Sequence, residues 1–198
     1  MIGNDIIDLS LAKAQSNWQR KGFLHKQFTS QEQALIYNSE HPFKSVWRLW
    51  SMKEATYKAV VQQQNRRFFA PKKFDCTLNS ATEGVVHFKG QAFTCTTTIT
   101  GAYIYSSVGN THVQWIGKKS EKEEFLKSIA KHTDLPLRWL HIKKNAFGVP
   151  SLYCLDKRVS RSFSKTHHGN FEAYELVFLN PNDMNADGVA FPKKERLQ

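Results

Sequence analysis

The sequence is poor in features that would cross-link or anchor it. Its three cysteines, Cys76, Cys95 and Cys154, are odd in number and far apart. They form no C-x-x-C pair and suggest neither a disulfide framework nor a zinc site. No apolar run approaches the roughly 20 residues that a membrane span needs. Met1-Ile2-Gly3-Asn4-Asp5 has neither the basic nor the apolar region of a secretory leader, so a cytoplasmic setting is expected, with no membrane partner. Several chemistries also lack their marks. There is no glycine-rich phosphate loop, no G-x-G-x-x-G, no H-x-x-x-H pair for zinc and no nucleophile elbow. Acidic residues are scarce: 17 Asp+Glu stand against 28 Lys+Arg, for a net charge of +11. Such a chain favours polyanions. The basic residues are spread out and spell no nucleic-acid-binding motif, so a small polyphosphate or an acidic protein would account for the charge equally well.

Core-forming residues are plentiful. At 198 residues, 40% hydrophobic and 13% aromatic, the chain can build one ordinary domain or two small lobes. One stretch organises the rest. From Val46 to Val60, apolar residues at Val46, Leu49, Trp50, Tyr57 and Val60 recur at helical spacing. Lys53, Glu54 and Lys58 are set among them. Glu54 and Lys58 are four apart, and a solvated pair with Glu first is their simplest account. Ile2 to Leu9 reads as a strand carrying Asp5 and Asp8, and residues 10 to 27 as a basic helix. Thr29-x-x-Glu32 is a capping box opening a helix to about Tyr37. Ser39 to Lys44, with Pro42, reads as a connection, and the long helix stops near Gln62 to Asn65. Arg66 to Lys73 is a basic and aromatic loop able to stack on nucleic acid or to meet another anion.

Beyond it, Phe74–Leu78, Val85–Phe88, Gln91–Thr100 and Ala102–Val108 alternate as strands. An amphipathic helix at Glu121–His132 precedes strands at Leu137–Lys143, Leu152–Leu155 and Phe171–Phe178, with a polar tail from Asn180. Thr98–Tyr105 and Thr166–Tyr174 share a polar-Gly-aromatic pattern, a faint internal repeat. The expected class is α+β, an antiparallel sheet packed against helices.

Trp50-Ser51-Met52-Lys53-Glu54-Ala55-x-x-Lys58 resembles the W-x-x-K-E-[AS]-x-x-K signature of the 4′-phosphopantetheinyl transferases. Gly3-Asn4-Asp5-Ile6 is similar to the family's G-[IVT]-D-[IL], and Phe28-Thr29-Ser30-Gln31-Glu32 to its F-[ST]-x-x-E. Gly148-Val149-Pro150 and Ser164-Lys165-Thr166-His167-His168-Gly169 resemble G-K-P followed by S-x-S-H-[ST]-G. The resemblance implies Mg²⁺-dependent transfer of 4′-phosphopantetheine from coenzyme A to a serine of an acidic acyl or peptidyl carrier protein. It implies Asp5 and Glu54 as metal ligands, with Asp8 either joining them or supporting the site. Glu54 and Lys58 become the catalytic residues. Coenzyme A binding falls to Arg48, Lys53, Lys58, Gly148, Pro150, Thr166 and His167. No nucleic acid is then expected; a basic nucleic-acid module and an inactive coenzyme A binder are the rival readings.

Three positions depart from the pattern: Asn4 for an aliphatic residue, Thr166 for serine, and Val149 for the phosphate-binding lysine of G-K-P. Lys143, Lys144 and Lys165 are candidates to replace that lysine. The motif order suggests two lobes, 1–110 and 111–198, swapped relative to the larger transferases and making a monomeric pseudo-dimer. The rival is one lobe with an insertion at about 80–140, assembled as a homotrimer.

Overall fold

The computed structural model describes residues 1–179; the tail expected from Asn180 lies outside them. The fold is α+β, and among the described residues every strand pairing is antiparallel. Strand β1 (Gly3–Asp8) leads into α1 (Leu9–Gln15), α2 (Phe23–Gln27), α3 (Ser30–Tyr37) and α4 (Pro42–Gln64). Strands β2 (Asp75–Leu78), β3 (Glu83–Phe88), β4 (Gln91–Ile99) and β5 (Tyr103–Val108) follow. They form a five-stranded sheet in the order β1-β5-β4-β3-β2. Then come β6 (Val113–Lys118), α5 (Lys122–Thr133), β7 (Leu140–Lys144), β8 (Pro150–Cys154), β9 (Lys157–Arg158), β10 (Ser160–His168) and β11 (Phe171–Phe178). These strands make two three-stranded sheets, β10-β11-β6 and β7-β8-β9.

The helix expected over residues 10 to 27 is two short helices. Residues 16–22 break it, and Gly22 turns the chain with φ +81° before Phe23. Pro42 is the first residue of α4 rather than part of a connection. Its missing N–H costs nothing there, because the first turn has no intrahelical acceptor to offer. The capping box is present: Glu32 N donates to Thr29 Oγ1 and Thr29 N to Glu32 Oε2. Strand β6 was not foreseen, and the strand expected from Leu137 begins at Leu140, after a 3₁₀ turn.

Two cores result. Val46, Leu49, Met52, Ala55, Ala59 and Val60 of α4 pack on Val86, Cys95, Ile104 and Val108 of the first sheet. Phe125 and Ile129 of α5 pack on Phe163, Tyr174 and Leu176, with the Phe125 and Tyr174 rings stacked at 4.3 Å. A third cluster, Ile6, Tyr105 and Ala173, joins them. Both parts of the chain share a pattern: a strand, helix, then a meander whose last strand returns to pair the first. Thus β1 pairs β5, and β6 pairs β11. The two stretches with the faint repeat are the turns β4–β5 and β10–β11 in this pattern.

Where the parts meet, β1 and β10 are both edge strands. An exposed edge leaves unpaired N–H groups, and β10 satisfies those of β1 with side chains. Asn4 N donates to Ser164 Oγ at 3.0 Å, Ile6 N to Thr166 Oγ1 at 3.3 Å and Asp8 N to His168 Nδ1 at 2.9 Å. Ile2 N completes the row at Ser162 Oγ. Alternate residues of a strand share a face, so one row of hydroxyls and a histidine covers a whole edge.

Candidate active site

β1 lies directly on α4. Gly3 permits this, since a Cβ there would collide with Ala55 O and stand 2.8 Å from Ala59 N. Close approach puts Asp5 beside Lys58, whose Nζ donates to Asp5 Oδ1 at 3.0 Å and to Asn4 O at 2.8 Å. Thr166 Oγ1 donates to the same carboxylate oxygen at 3.0 Å. Asp5 Oδ1 is therefore held from both parts of the chain. Asp5 Oδ2 is buried and has no protein partner among the described residues.

Glu54, one turn before Lys58 on α4, is pushed up to about 7. Burial is the main cause; the Asp5 charge adds to it and Lys58 opposes both. Two carboxylates thus crowd one another with an oxygen unsatisfied, a donor set that fits a cation. Among the described residues no group of three or more His, Cys, Asp or Glu could enclose an ion. Mg²⁺ does not need such a group, because it keeps water and phosphate oxygens around one or two carboxylates.

The raised value has a consequence for stability. Below about pH 4.5 Glu54 is protonated whether or not the chain is folded, and above about 7 it is charged in both. Between them the folded state holds the extra proton, so stability falls as pH rises. Without divalent metal, Glu54→Gln should gain in melting temperature over the parent as pH goes from 4.5 to 7, which thermal denaturation at several pH values checks. A constant gap across that range contradicts the assignment.

The structure separates the other candidates. Asp8 caps α1: its Oδ1 accepts from Ser10 N, Ser10 Oγ and Leu11 N, and its Oδ2 from Asn170 N. Burial works against its charge, but these hydrogen bonds outweigh burial and lower its pKa. Both Asp8 oxygens are thus occupied within the protein. Lys53 borders the same aromatic space as Glu54, but its ammonium is committed within the protein. It is 2% exposed, and its ammonium donates to Glu32 Oε2 at 2.7 Å, Phe74 O at 2.7 Å and Pro71 O at 3.0 Å. An ammonium has three protons, so none remains for a phosphate. Arg48 is also buried and donates to Ser80 O and Glu83 O. Thr166 spends its hydroxyl on Asp5 and Ile6 rather than on an outside ligand.

Gly148 and Pro150 line a cleft of about 210 Å³ with Lys58, Arg67, Ser164 and Lys165. His167 is exposed nearby, its pKa lowered by partial desolvation and then by the charges of Lys119, Lys165 and Lys58, against Glu172. Glu54 lines an adjoining aromatic slot with Phe68, Phe69 and Phe74, and Tyr57 borders both spaces. In the basic loop, Phe68 turns inward and stacks on Phe74 and Phe88, leaving Phe69 as its exposed ring.

Asn4, the departure beside Asp5, is fully buried. Its amide donates to Tyr105 Oη at 3.2 Å and its Oδ1 accepts from Ser164 Oγ at 2.7 Å. Tyr105 in turn donates to Glu175 Oε1 at 2.6 Å. An aliphatic residue at position 4 would break this polar seam. Sequence reasoning missed the seam and the hydroxyl row; the period-two hydroxyls of Ser160, Ser162, Ser164 and Thr166 were their one signal.

Crowded carboxylates beside a lysine that lines a basic cleft suit a group-transfer enzyme that works on phosphate esters. The 4′-phosphopantetheinyl transferase superfamily model matches residues 1–112, more than half of the chain, and the protein belongs to that superfamily. Its reaction class is therefore transfer of phosphopantetheine, with coenzyme A and a carrier protein as partners. The crystal structure of Thermotoga maritima holo-[acyl-carrier-protein] synthase aligns over 92% of this chain and 85% of its own, at 12% identity and TM-score 0.40. No curated protein matches the sequence. No helix among the described residues is long and apolar enough to cross a membrane.

Proposed function

We propose that the protein transfers 4′-phosphopantetheine from coenzyme A to a serine of an acyl or peptidyl carrier protein, releasing 3′,5′-ADP. The observation that carries this reading is Asp5, fixed through one oxygen by Lys58 and Thr166, with its other oxygen bare beside Glu54. Asp5 and Glu54 would hold Mg²⁺, which supplies charge neutralisation to the pyrophosphate. The serine oxygen bonds to the β-phosphorus, and the bond from that phosphorus to the 3′,5′-ADP oxygen breaks. Glu54 accepts the serine proton directly or through one water. Lys58 orients Asp5 and faces the charge that builds on the phosphate. His167 and the Gly148–Pro150 turn border the nucleotide end of the substrate. The net charge of +11 favours encounter with an acidic carrier. Cys76, Cys95 and Cys154 are buried free thiols, in keeping with a cytoplasmic site.

Release of 3′,5′-ADP, followed by chromatography, tests the reading. It should require coenzyme A, apo carrier and Mg²⁺ together, and stop with EDTA. Release without the carrier would make the protein a coenzyme A hydrolase instead.

Thr166 gives a finer test. Thr166→Val removes the donor to Asp5 and strands Ile6 N, costing about 1–3 kcal/mol of stability. Turnover should fall roughly tenfold, on the scale of one charge-assisted hydrogen bond. Thr166→Ser should restore both. A Thr166→Val protein with normal kcat would mean Asp5 needs no second donor.

The two matching strand-helix-meander patterns favour one chain carrying a whole site, with lobes 1–110 and 111–198. Sedimentation should then give a monomer, and a compact trimer would overturn it.

A further inference from the structure

We infer that Arg67 binds a phosphate of coenzyme A, taking the part of the cation missing at Val149 but reaching the cleft from the segment after α4. This inference rests on the transferase reading above. Three cations line the cleft: Lys58, Lys165 and Arg67. Two of them are already neutralised. Lys58 is paired with Asp5 at 3.0 Å, and Lys165 is paired with Glu172. Arg67 has no carboxylate partner among the described residues. It is exposed, and its Nε donates to Phe147 O at 2.5 Å, which fixes the guanidinium across the turn. Charge arithmetic therefore makes Arg67 the source of net positive charge in the cleft.

The turn is shaped to receive it. Gly148 has φ +75°, a backbone conformation that L side chains rarely adopt, and a Cβ there would collide with Arg67 Nη2. Glycine allows both the turn and the contact. With Nε engaged, Nη2 lies against Gly148, and neither terminal nitrogen has a protein hydrogen-bond partner among the described residues. A guanidinium fork matches two oxygens of one phosphate, whereas an ammonium acts as a point charge. Lys143, one of the lysines considered for this part, pairs with Asp156 instead and lines none of the cleft.

The test is calorimetric titration of coenzyme A, and steady-state kinetics, on the parent, Arg67→Gln and Arg67→Lys. Loss of a charge-assisted hydrogen bond should weaken binding and raise the KM for coenzyme A by about tenfold or more, with kcat little changed and Arg67→Lys in between. Exposure of Arg67 means that the melting temperature should not move. 3′-Dephospho-coenzyme A identifies the phosphate. If the Arg67→Gln penalty vanishes with it, Arg67 holds the 3′-phosphate; if the penalty persists, Arg67 holds the pyrophosphate. Equal affinity and KM for parent and Arg67→Gln overturn the inference while leaving the transferase reading intact. A parent that neither binds coenzyme A nor turns over overturns both.

Discussion

Glu54→Ala is expected to reduce phosphopantetheine transfer by about 10²–10⁴-fold, the range for loss of a positioned acid–base group, while leaving the fold standing. No side-chain hydrogen bond or ion pair ties Glu54 into the structure among the described residues, and burial disfavours charge on its carboxylate. Removing it should therefore stabilise the metal-free protein at neutral pH as it destroys activity. That opposition is the mark of a residue kept for chemistry. Asp5→Asn behaves differently. It weakens the contacts from Lys58 and Thr166 that join α4 and β10 to β1, so activity and stability should fall together. Parallel kinetics and thermal denaturation separate the two cases. A Glu54→Ala protein that is both inactive and destabilised would make Glu54 structural.

The second large effect concerns Lys53. Lys53→Met leaves the Glu32 carboxylate buried without its cation, and breaking a buried pair this way costs about 3–5 kcal/mol. For a domain of this size each kcal/mol is worth about 2–4 °C, so the melting temperature should drop by roughly 6–20 °C. The double variant Lys53→Met, Glu32→Gln removes both charges and keeps an acceptor for Cys76 N, so it should recover much of the loss. The KM for coenzyme A should barely move in the double variant. Normal stability with a raised KM would return Lys53 to the coenzyme A site that the family resemblance implied.

These two glutamates show what the sequence could and could not convey. Glu32 was legible as a capping box because both partners lie within four residues of each other. Its second task, clamping Lys53 and Cys76 N, depends on residues 21 and 44 positions away and left no local mark. The long helix was legible from its apolar spacing, but that spacing cannot tell a charge aimed at a ligand from one folded into the core. Asp5, Glu54 and Lys58 were marked by their motif, and the structure brings them together. The side chains that cover the free edge of β1 lie about 160 residues downstream, so the role of Ser162, Ser164, Thr166 and His168 emerges only when the two edges meet. Arg67 was seen as part of a basic and aromatic loop; the turn at Gly148 gives it its place.

The most direct test of the account is the intact mass of apo carrier protein after incubation with this protein, coenzyme A and Mg²⁺. The account predicts a gain of one phosphopantetheine, located on a serine, abolished by EDTA and by Glu54→Ala. No gain on any of a panel of apo acyl and peptidyl carriers would contradict it.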